Sequence, residues 1–233
     1  MKRIGIILGS GLDKFSKELK NADLLYEDSV GIHHKRITRG FIGGKEVTIF
    51  QGRNHFYETQ LLNKIYFNVN SAKELGIDLL IITNAAGGVN PNFKVADLML
   101  ITSHLNFILK KISFRKHKKL YDKELIGWVR NVAMKNHIKL HTGVYCSSTG
   151  PVYETKSEIN LWKKINIDSV GMSTIPEILL AGKLGLKTIA ISCITNLLSG
   201  NMEEKIDHSE VMEAGKKAYP VFSRLLKAII NDY

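Results

Sequence analysis

Residues 79–88 read Leu-Leu-Ile-Ile-Thr-Asn-Ala-Ala-Gly-Gly, an apolar run that leads directly into small and polar residues. A short, continuous apolar run bounded by turn residues is typical of a strand buried on both faces of a sheet. We therefore expect a strand over Leu79–Thr83 that is broken at Asn84–Gly88. The small residues after it would let a ligand approach the backbone closely, although a tight loop without a ligand fits this stretch equally well.

Similar apolar runs recur on both sides of this strand and alternate with segments of helical periodicity. The other predicted strands are Ile4–Leu8, Val47–Gln51 after a Gly43-Gly44 hairpin turn, Leu98–Thr102, Gly143–Cys146 and Lys187–Cys193. The predicted helices are 59–75, 122–136, Thr155–Ile165 with a capping box from Thr155 and Glu158, Pro176–Leu184, and a C-terminal helix with Val211, Ala214, Ala218, Val221, Leu225 and Ile229 on one face. This alternation predicts an α/β fold: one domain over residues 1–233 with a mixed, largely buried β-sheet flanked by helices.

The composition excludes several classes of protein. Of the 233 residues, 44% are hydrophobic and 24% are charged, which is ordinary for a globular protein and unlike a disordered chain. No apolar stretch approaches the roughly 18 residues of a transmembrane helix, and the N-terminal apolar run is too short for a secretory signal. Two cysteines, Cys146 and Cys193, cannot form a disulfide framework or a four-cysteine zinc site. We therefore expect a cytoplasmic protein with no membrane partner and no metal site.

The net charge of +11 comes from 33 Lys and Arg residues against 22 Asp and Glu residues. Six of the basic residues and no acidic residue lie within 109–119, so the excess is largely local. An excess of basic over acidic residues is typical of proteins whose partner is nucleic acid, anionic lipid or an anionic substrate. The chain carries no recognisable nucleic-acid-binding module, so we do not expect a nucleic-acid partner and interpret the cluster as a solvated surface.

The polar and glycine-rich segments follow the predicted strands, which is where α/β folds bind their ligands. These segments are Gly9-Ser10-Gly11, Gly52–Glu58, Asn84–Gly88, Thr149–Thr155, Gly171–Glu177 and Thr195–Asn196. Their clustering predicts a binding site at the carboxyl ends of the strands.

Two of these segments carry groups that suit an anion. Backbone N–H groups freed by glycine, with the Ser10 hydroxyl, could hold a phosphate, but a plain turn fits the same pattern. In an extended chain Arg53, His55 and Tyr57 would share one face, and an arginine beside an imidazole suits phosphate or carboxylate. An exposed polar strand end is the alternative for that stretch.

The segments further along the chain also leave two interpretations each. Glu154 could hydrogen-bond a heterocycle on which Tyr153 packs, or it could be an acid favoured near a helix N-terminus. Ser173 and Thr174 precede a proline in a first helical turn, which suits either an anion site or an ordinary cap. His208 opens the last helix, where a surface or capping role is the alternative to catalysis.

Taken together and in this order, these motifs resemble the trimeric purine nucleoside phosphorylases that act mainly on 6-oxopurine nucleosides. The matching stretches are Gly-Ser-Gly-Leu at 9–12, Gly-Arg-x-His-x-Tyr-Glu at 52–58, Thr-Asn-Ala-Ala-Gly-Gly at 83–88, Gly-Pro-x-Tyr-Glu-Thr at 150–155, Gly-Met-Ser-Thr-x-Pro-Glu at 171–177, Ile-Thr-Asn at 194–196, and His-Ser-Glu-Val at 208–211 followed by Ala-Gly-Lys at 214–216. The resemblance covers most of the chain.

The resemblance implies phosphorolysis, in which a purine nucleoside and inorganic phosphate give the free base and ribose 1-phosphate. It implies a phosphate site of Ser10, Arg53, His55, Ser173, His33 and the Ala85 backbone, a ribose site of Tyr57, Met172 and His208, and a purine site of Tyr153, Glu154 and Asn196. Asn196, Glu154 and His55 would act in catalysis. Phosphate is a co-substrate, no metal or organic cofactor is implied, and the expected assembly is a homotrimer in cytoplasmic purine salvage.

The base preference follows from one residue of this set. An amide both accepts and donates hydrogen bonds, so Asn196 suits a 6-oxopurine and favours inosine and guanosine, with xanthosine as a third candidate. The related methylthioadenosine phosphorylases use an aspartate in that region for 6-aminopurines.

The chain departs from the family pattern at two places. The loop that follows Ser103-His104-Leu105-Asn106 in the family, and reaches the neighbouring subunit with a phenylalanine, is missing, and Thr59 stands where glycine is common. Phe107 or Phe114 could take the place of that phenylalanine. The alternative function is therefore a catalytically impaired family member that is retained for purine binding or assembly.

Overall fold

A computed structural model describes residues 2–29, 34–108, 120–198 and 208–233, with the side chains of His208 and Ser209 outside the description. The strands are β1 (Ile4–Ile7), β2 (Lys20–Asp28), β3 (Lys35–Ile42), β4 (Lys45–Gln51), β5 (Leu79–Gly88), β6 (Leu98–Asn106), β7 (Leu140–Ser147), β8 (Ser169–Gly171) and β9 (Lys187–Leu197). The helices are α1 (Leu62–Ile65), α2 (Phe67–Glu74), α3 (Lys123–Lys135), α4 (Lys156–Lys164), α5 (Ile175–Lys183) and α6 (His208–Asp232), and a 3₁₀ helix spans Asp13–Glu18.

The described strands form one mixed sheet that closes on itself at one end. Its order is β2-β3-β4-β1-β5-β8-β7-β6-β9, and β9 also pairs with β5, which joins the last five strands into a ring. The β1 strand pairs in parallel with β4 and β5, whereas β6 runs antiparallel to β9. The prediction of a single α/β domain with a mixed sheet is confirmed.

Helices cover both faces of the central part of the sheet. Side chains of β1 alternate between the two cores: Ile6 packs in the cluster that holds Phe222 of α6, and Ile7 packs in the cluster that holds Ile178 of α5. All four residues of β1 are buried, which is why the strand forms a continuous apolar run. The N-terminal ends of α5 and α6 approach the carboxyl ends of the strands, where a cavity is left open.

The predicted break at Asn84–Gly88 is wrong, because β5 continues to Gly88. Its second half is held by two partners at once: Gly87 is in register with Asn196 of β9 and with Val170 of β8. Small residues suit this position since a Cβ on Gly87 would lie 3.0 Å from Leu198 Cδ1. The strands β6 and β9 likewise run further than their apolar cores predicted, to Asn106 and Leu197.

Three strands were missed from the sequence: β2, β3 and β8. Nearly every residue of β2 is exposed, so this strand carries no apolar run, and β8 has only three residues. The Gly43-Gly44 turn is confirmed between β3 and β4, with φ of 57° and 79°, as a two-residue hairpin turn with positive φ at both positions requires.

The helix predictions hold with two corrections. The segment 59–75 divides at Tyr66 into α1 and α2 rather than forming one helix. On α6 the predicted buried Val221 is 37% exposed, and the neighbouring Phe222 is buried instead. The capping box of Thr155 and Glu158 is present at α4. No helix in the described ranges is long and apolar enough to cross a membrane.

Candidate active site

The predicted site residues converge at the carboxyl ends of the strands. Within the described residues, the predicted members that line one shared cavity are Ser10, Arg53, His55, Tyr57, Ala85, Tyr153, Glu154, Met172, Ser173 and Asn196. His33 and the side chain of His208 lie outside the described residues, as does the basic cluster 109–119. The backbone of His208 does begin α6, as predicted.

Arg53 follows β4 and holds two distant elements together. It is only 7% exposed, its Nη1 donates to Ser173 Oγ at 3.0 Å, and its Nη2 donates to the Thr83 carbonyl at 2.8 Å. Because both nitrogens of the fork have fixed partners on the protein, the guanidinium has one orientation. An oriented cation therefore lines the cavity.

A buried carboxylate that sequence reasoning missed lies behind the guanidinium. Glu177 of α5 is 2% exposed, and its Oε1 lies 3.7 Å from Arg53 Nε. Neither carboxylate oxygen has a hydrogen-bond partner among the described residues. Burial raises the pKa of Glu177, and the Arg53 charge opposes that rise. The available signal was an acid inside the apolar run Ile-Pro-Glu-Ile-Leu-Leu-Ala.

The Gly9-Ser10-Gly11 segment is pressed against β5. A Cβ on Gly9 would lie 2.6 Å from Asn84 Cα, and the Gly9 amide donates to Thr83 Oγ1 at 3.0 Å. A Cβ on Gly215 would lie 3.0 Å from Gly11 Cα, so α6 also passes directly against this segment. Glycine is required for these close approaches, and they fix Ser10 at the cavity wall.

Two rings and a thioether meet on another side of the cavity. His55 stacks on Tyr57 at 5.1 Å between centroids, and His55 Nδ1 contacts the Glu58 carboxylate. A Cβ on Gly150 would lie 2.7 Å from Tyr57 Cδ1 and 2.6 Å from Met172 Sδ. The predicted convergence of Arg53, His55 and Tyr57 on one site is confirmed, although the chain turns at 56–58 rather than staying extended.

Glu154 and Asn196 present complementary polar groups to the cavity. Ser148 Oγ donates to Glu154 Oε1 at 3.1 Å, and burial raises the pKa of Glu154. Thr195 Oγ1 lies 3.1 Å from Asn196 Oδ1 and 3.4 Å from the Ala86 carbonyl, and the Asn196 amide lines the cavity. A carboxyl acceptor and an amide donor are thus available to one ligand.

The hydroxyl pair before α5 does not cap the helix. Thr174 occupies the N-cap position with no side-chain capping bond, so the capping interpretation is wrong. Its Oγ1 lies 2.9 Å from Asn84 Nδ2 and 3.4 Å from Arg53 Nη1 instead. Sequence reasoning did not identify Asn84 as a partner in this network.

The part of the chain that the structure describes contains no group of three or more His, Cys, Asp or Glu side chains that could hold a metal ion. The cavity presents an oriented cation, hydroxyl groups, an imidazole, a carboxyl and an amide.

Comparisons with known proteins agree with this fold. A sequence model of the phosphorylase superfamily matches residues 3–231. The chain is 38% identical to purine nucleoside phosphorylase 1 of Bacillus subtilis (strain 168), over 99% of this chain and 92% of that protein. It is 34% identical to the purine nucleoside phosphorylase of Mus musculus, over 99% of this chain and 89% of the mouse protein.

Solved structures match over the whole fold. The crystal structure of Schistosoma mansoni purine nucleoside phosphorylase in complex with inosine has a TM-score of 0.89 and 29% identity, covering 100% of this chain and 90% of that one. A schistosoma purine nucleoside phosphorylase in complex with hypoxanthine has a TM-score of 0.87 and 29% identity, covering 99% of this chain and 90% of that one. The chain therefore belongs to the phosphorylase superfamily. Within that superfamily it falls among the purine nucleoside phosphorylases.

Proposed function

We propose that this chain cleaves 6-oxopurine nucleosides with inorganic phosphate, giving the free base and ribose 1-phosphate, and that inosine and guanosine are its substrates. The observation that carries the proposal is the convergence in one cavity of a buried, oriented arginine with the Glu154 carboxyl and the Asn196 amide. A phosphate requires a cationic donor such as the arginine, and a purine edge requires an acceptor and a donor such as the carboxyl and the amide.

The phosphate is bound by the groups around Arg53. Its guanidinium, the Ser10 and Ser173 hydroxyls and the Ala85 backbone supply donors, and His55 completes this half of the site together with His33. Charge-assisted bonds of this kind are roughly twice as strong as neutral ones. Their burial keeps water from screening them, since Arg53 is almost fully enclosed.

The purine is bound further along β5. Arg53 contacts the Thr83 carbonyl, and Asn196 is in register with Gly87, four residues further along the strand. At about 3.3 Å per residue, these two positions on β5 are roughly 13 Å apart along the strand, which leaves room for a nucleoside and a phosphate side by side. Glu154 accepts from the N1 edge of the base and Tyr153 packs on its face.

The reaction breaks the bond between C1′ and the purine nitrogen while a phosphate oxygen forms a new bond to C1′. The bonding electrons leave with the base, and the Asn196 amide donates to N7, where negative charge develops. Fixed donors aimed at developing charge are a large term in catalysis. The phosphate held near C1′ stabilises the cationic sugar and then captures it, with Tyr57, Met172 and His208 holding the ribose.

A homotrimer in the cytoplasm is the expected form of the enzyme. The support is the family resemblance, together with apolar side chains that stay exposed near the cavity, among them Phe107 and Val152. Phe107 contacts Trp162 of α4 and is available to a neighbouring subunit, whereas Phe114 lies outside the described residues. Sedimentation analysis tests the trimer, and a monomeric protein that is fully active would contradict it.

The proposed activity is tested by purine release from inosine, guanosine and xanthosine with and without phosphate. We expect hypoxanthine and guanine to appear only with phosphate, together with ribose 1-phosphate. The variants Glu154→Ala and Asn196→Ala should lose turnover, while Glu74→Ala, at an exposed acid of α2, should retain it.

Two results would overturn the proposal. Release without phosphate would make the chain a hydrolase, and absence of release from folded protein with any of the three nucleosides would exclude 6-oxopurine phosphorolysis. The alternative of a catalytically impaired family member has no support in the described cavity, in which every predicted residue that is described takes its place.

A further inference from the structure

The hydroxyl of Thr174 lies among the polar side chains of Asn84, Arg53, Ser173 and Tyr145. Its Oγ1 lies 2.9 Å from Asn84 Nδ2, 3.4 Å from Arg53 Nη1 and 3.1 Å from Ser173 Oγ. The Asn84 amide nitrogen and the arginine can only donate. Both lone pairs of the Thr174 oxygen are therefore used, and its own hydrogen has two acceptors within reach, Ser173 Oγ and the Tyr145 oxygen, whose own hydrogen goes to the Ser173 carbonyl.

The same reasoning then fixes Ser173. Its oxygen accepts from Arg53 Nη1 at 3.0 Å, and it accepts from the Thr174 hydroxyl, 3.1 Å away, when the Thr174 hydrogen is directed to it rather than to Tyr145. With both lone pairs used, Ser173 has only its own O–H left to offer, as a donor. Its backbone is also anchored, because Ser147 Oγ donates to the Ser173 carbonyl at 3.1 Å and Tyr145 donates to it at 3.3 Å.

The backbone at Thr174 indicates that this arrangement is imposed by the surrounding structure. Thr174 has φ of 77° and ψ of −49°, a region that is strongly unfavourable for a β-branched residue. Strained conformations of this kind persist only where the structure around them determines them, and they concentrate at functional sites. Thr174 is also 1% exposed, so its hydroxyl has no water to turn towards.

We infer that Thr174 is a positioning residue for phosphate: with Asn84 it forms a one-way chain of hydrogen bonds that makes Ser173 an obligatory donor to the anion. The chain runs from the Asn84 amide through the Thr174 hydroxyl to the Ser173 hydroxyl, and each bond polarises the next. A site that can only donate selects a fully ionised oxyanion over a ligand that must itself donate. This inference rests on the proposed phosphate site around Arg53 and Ser173.

A double-mutant cycle tests the chain. Inorganic phosphate binding is measured by titration calorimetry for the wild type, Thr174→Val, Ser173→Ala and the double variant. Valine keeps the shape and branching of threonine and removes only the hydroxyl. We expect Thr174→Val to weaken phosphate binding about tenfold, the size of one bond to a charged group, and to change it less than about twofold when Ser173 is already alanine. The Thr174→Ser variant restores the hydroxyl and should recover most of the lost affinity.

The KM for nucleoside is the second readout, because a general distortion of the cavity would raise it as well. We expect it to stay within about twofold in Thr174→Val, since the lost donor acts on phosphate alone. The inference is overturned if valine weakens phosphate binding equally with and without Ser173, if serine does not restore binding, or if the wild type binds no phosphate. Coupled phosphate binding without nucleoside turnover would leave the chain of hydrogen bonds standing and overturn the proposed function instead.

Discussion

Arg53 Nε lies 3.7 Å from Glu177 Oε1, and both side chains are almost fully buried. The carboxylate balances the guanidinium from behind, on the side away from its contacts with Ser173 and Thr83. A phosphate in the cavity would bring a second negative charge to the same cation. Glu177 is therefore the counter-charge that Arg53 has in the described structure.

Removing that balancing charge should destabilise the free protein more than the phosphate complex. Glu177→Gln keeps the shape of the side chain and leaves Arg53 buried without a counter-charge, which costs about 3–5 kcal/mol of the free energy of unfolding. Urea unfolding with and without phosphate measures this, and added phosphate should recover more stability in the variant than in the wild type. The control is Glu74→Gln on the exposed end of α2, and equal stability of both variants would contradict the prediction.

The acidic limb of the pH profile of kcat/KM should reflect the ionisation of Glu154. Burial raises its pKa above the usual 4.5, so this carboxyl takes up its proton at a higher pH than an exposed glutamate does. The proton turns the charged carboxylate into a weaker, neutral acceptor for the purine N1–H, and kcat/KM for inosine should fall as pH drops through that raised pKa. In Glu154→Gln the residual activity should lose this step. A profile that is unchanged in the variant would assign the titration to another group.

Asn196 should set the choice of base. In Asn196→Asp the carboxylate can no longer donate to the base, so kcat/KM for inosine should fall by about 10²–10³, the size of one lost catalytic donor. A carboxylate accepts from the exocyclic amine of adenosine, and we expect the ratio of adenosine to inosine turnover to rise. Parallel assays with both nucleosides measure that ratio. An unchanged ratio would show that another residue selects the base.

At Gly150, the lack of room for a side chain should affect turnover more than the positive φ does. Gly150→Ala places a Cβ within 2.7 Å of both Tyr57 and Met172, whereas Gly185→Ala meets nothing within 4 Å. The two glycines have similar φ, 64° and 71°, so each alanine carries a similar cost of about 1 kcal/mol in stability. We expect only the Gly150 variant to lose nucleoside turnover, by about tenfold or more, as measured by KM and kcat at equal folded fraction. Equal losses would mean that backbone strain is the cause.

The buried strands could be predicted because each coincides with a continuous apolar run in the sequence. Ile4–Ile7 and the first half of β5 are buried on both faces. Every residue in them is therefore apolar or small, and the strand can be predicted without knowing its neighbours in the sheet. The strand β2 is exposed along its length, and only its pairing with β3 makes it a strand. The continuation of β5 through Asn84–Gly88 likewise depends on β8 and β9, which supply its hydrogen bonds from elsewhere in the chain.

By itself the sequence determined the α/β class and the segments that meet at the cavity, since ligand-binding residues follow strands whose apolar runs are local signals. Only the tertiary structure decided how these residues act on one another. Ser173 and Thr174 read as a helix cap until Arg53, 120 residues earlier in the chain, reaches Ser173. Glu177 had no role assigned from the sequence, and only the packing of α5 places it behind the same guanidinium. Apolar runs show which segments are buried, but the hydrogen-bond and ion-pair partners of a side chain depend on contacts between distant residues, and no local pattern encodes them.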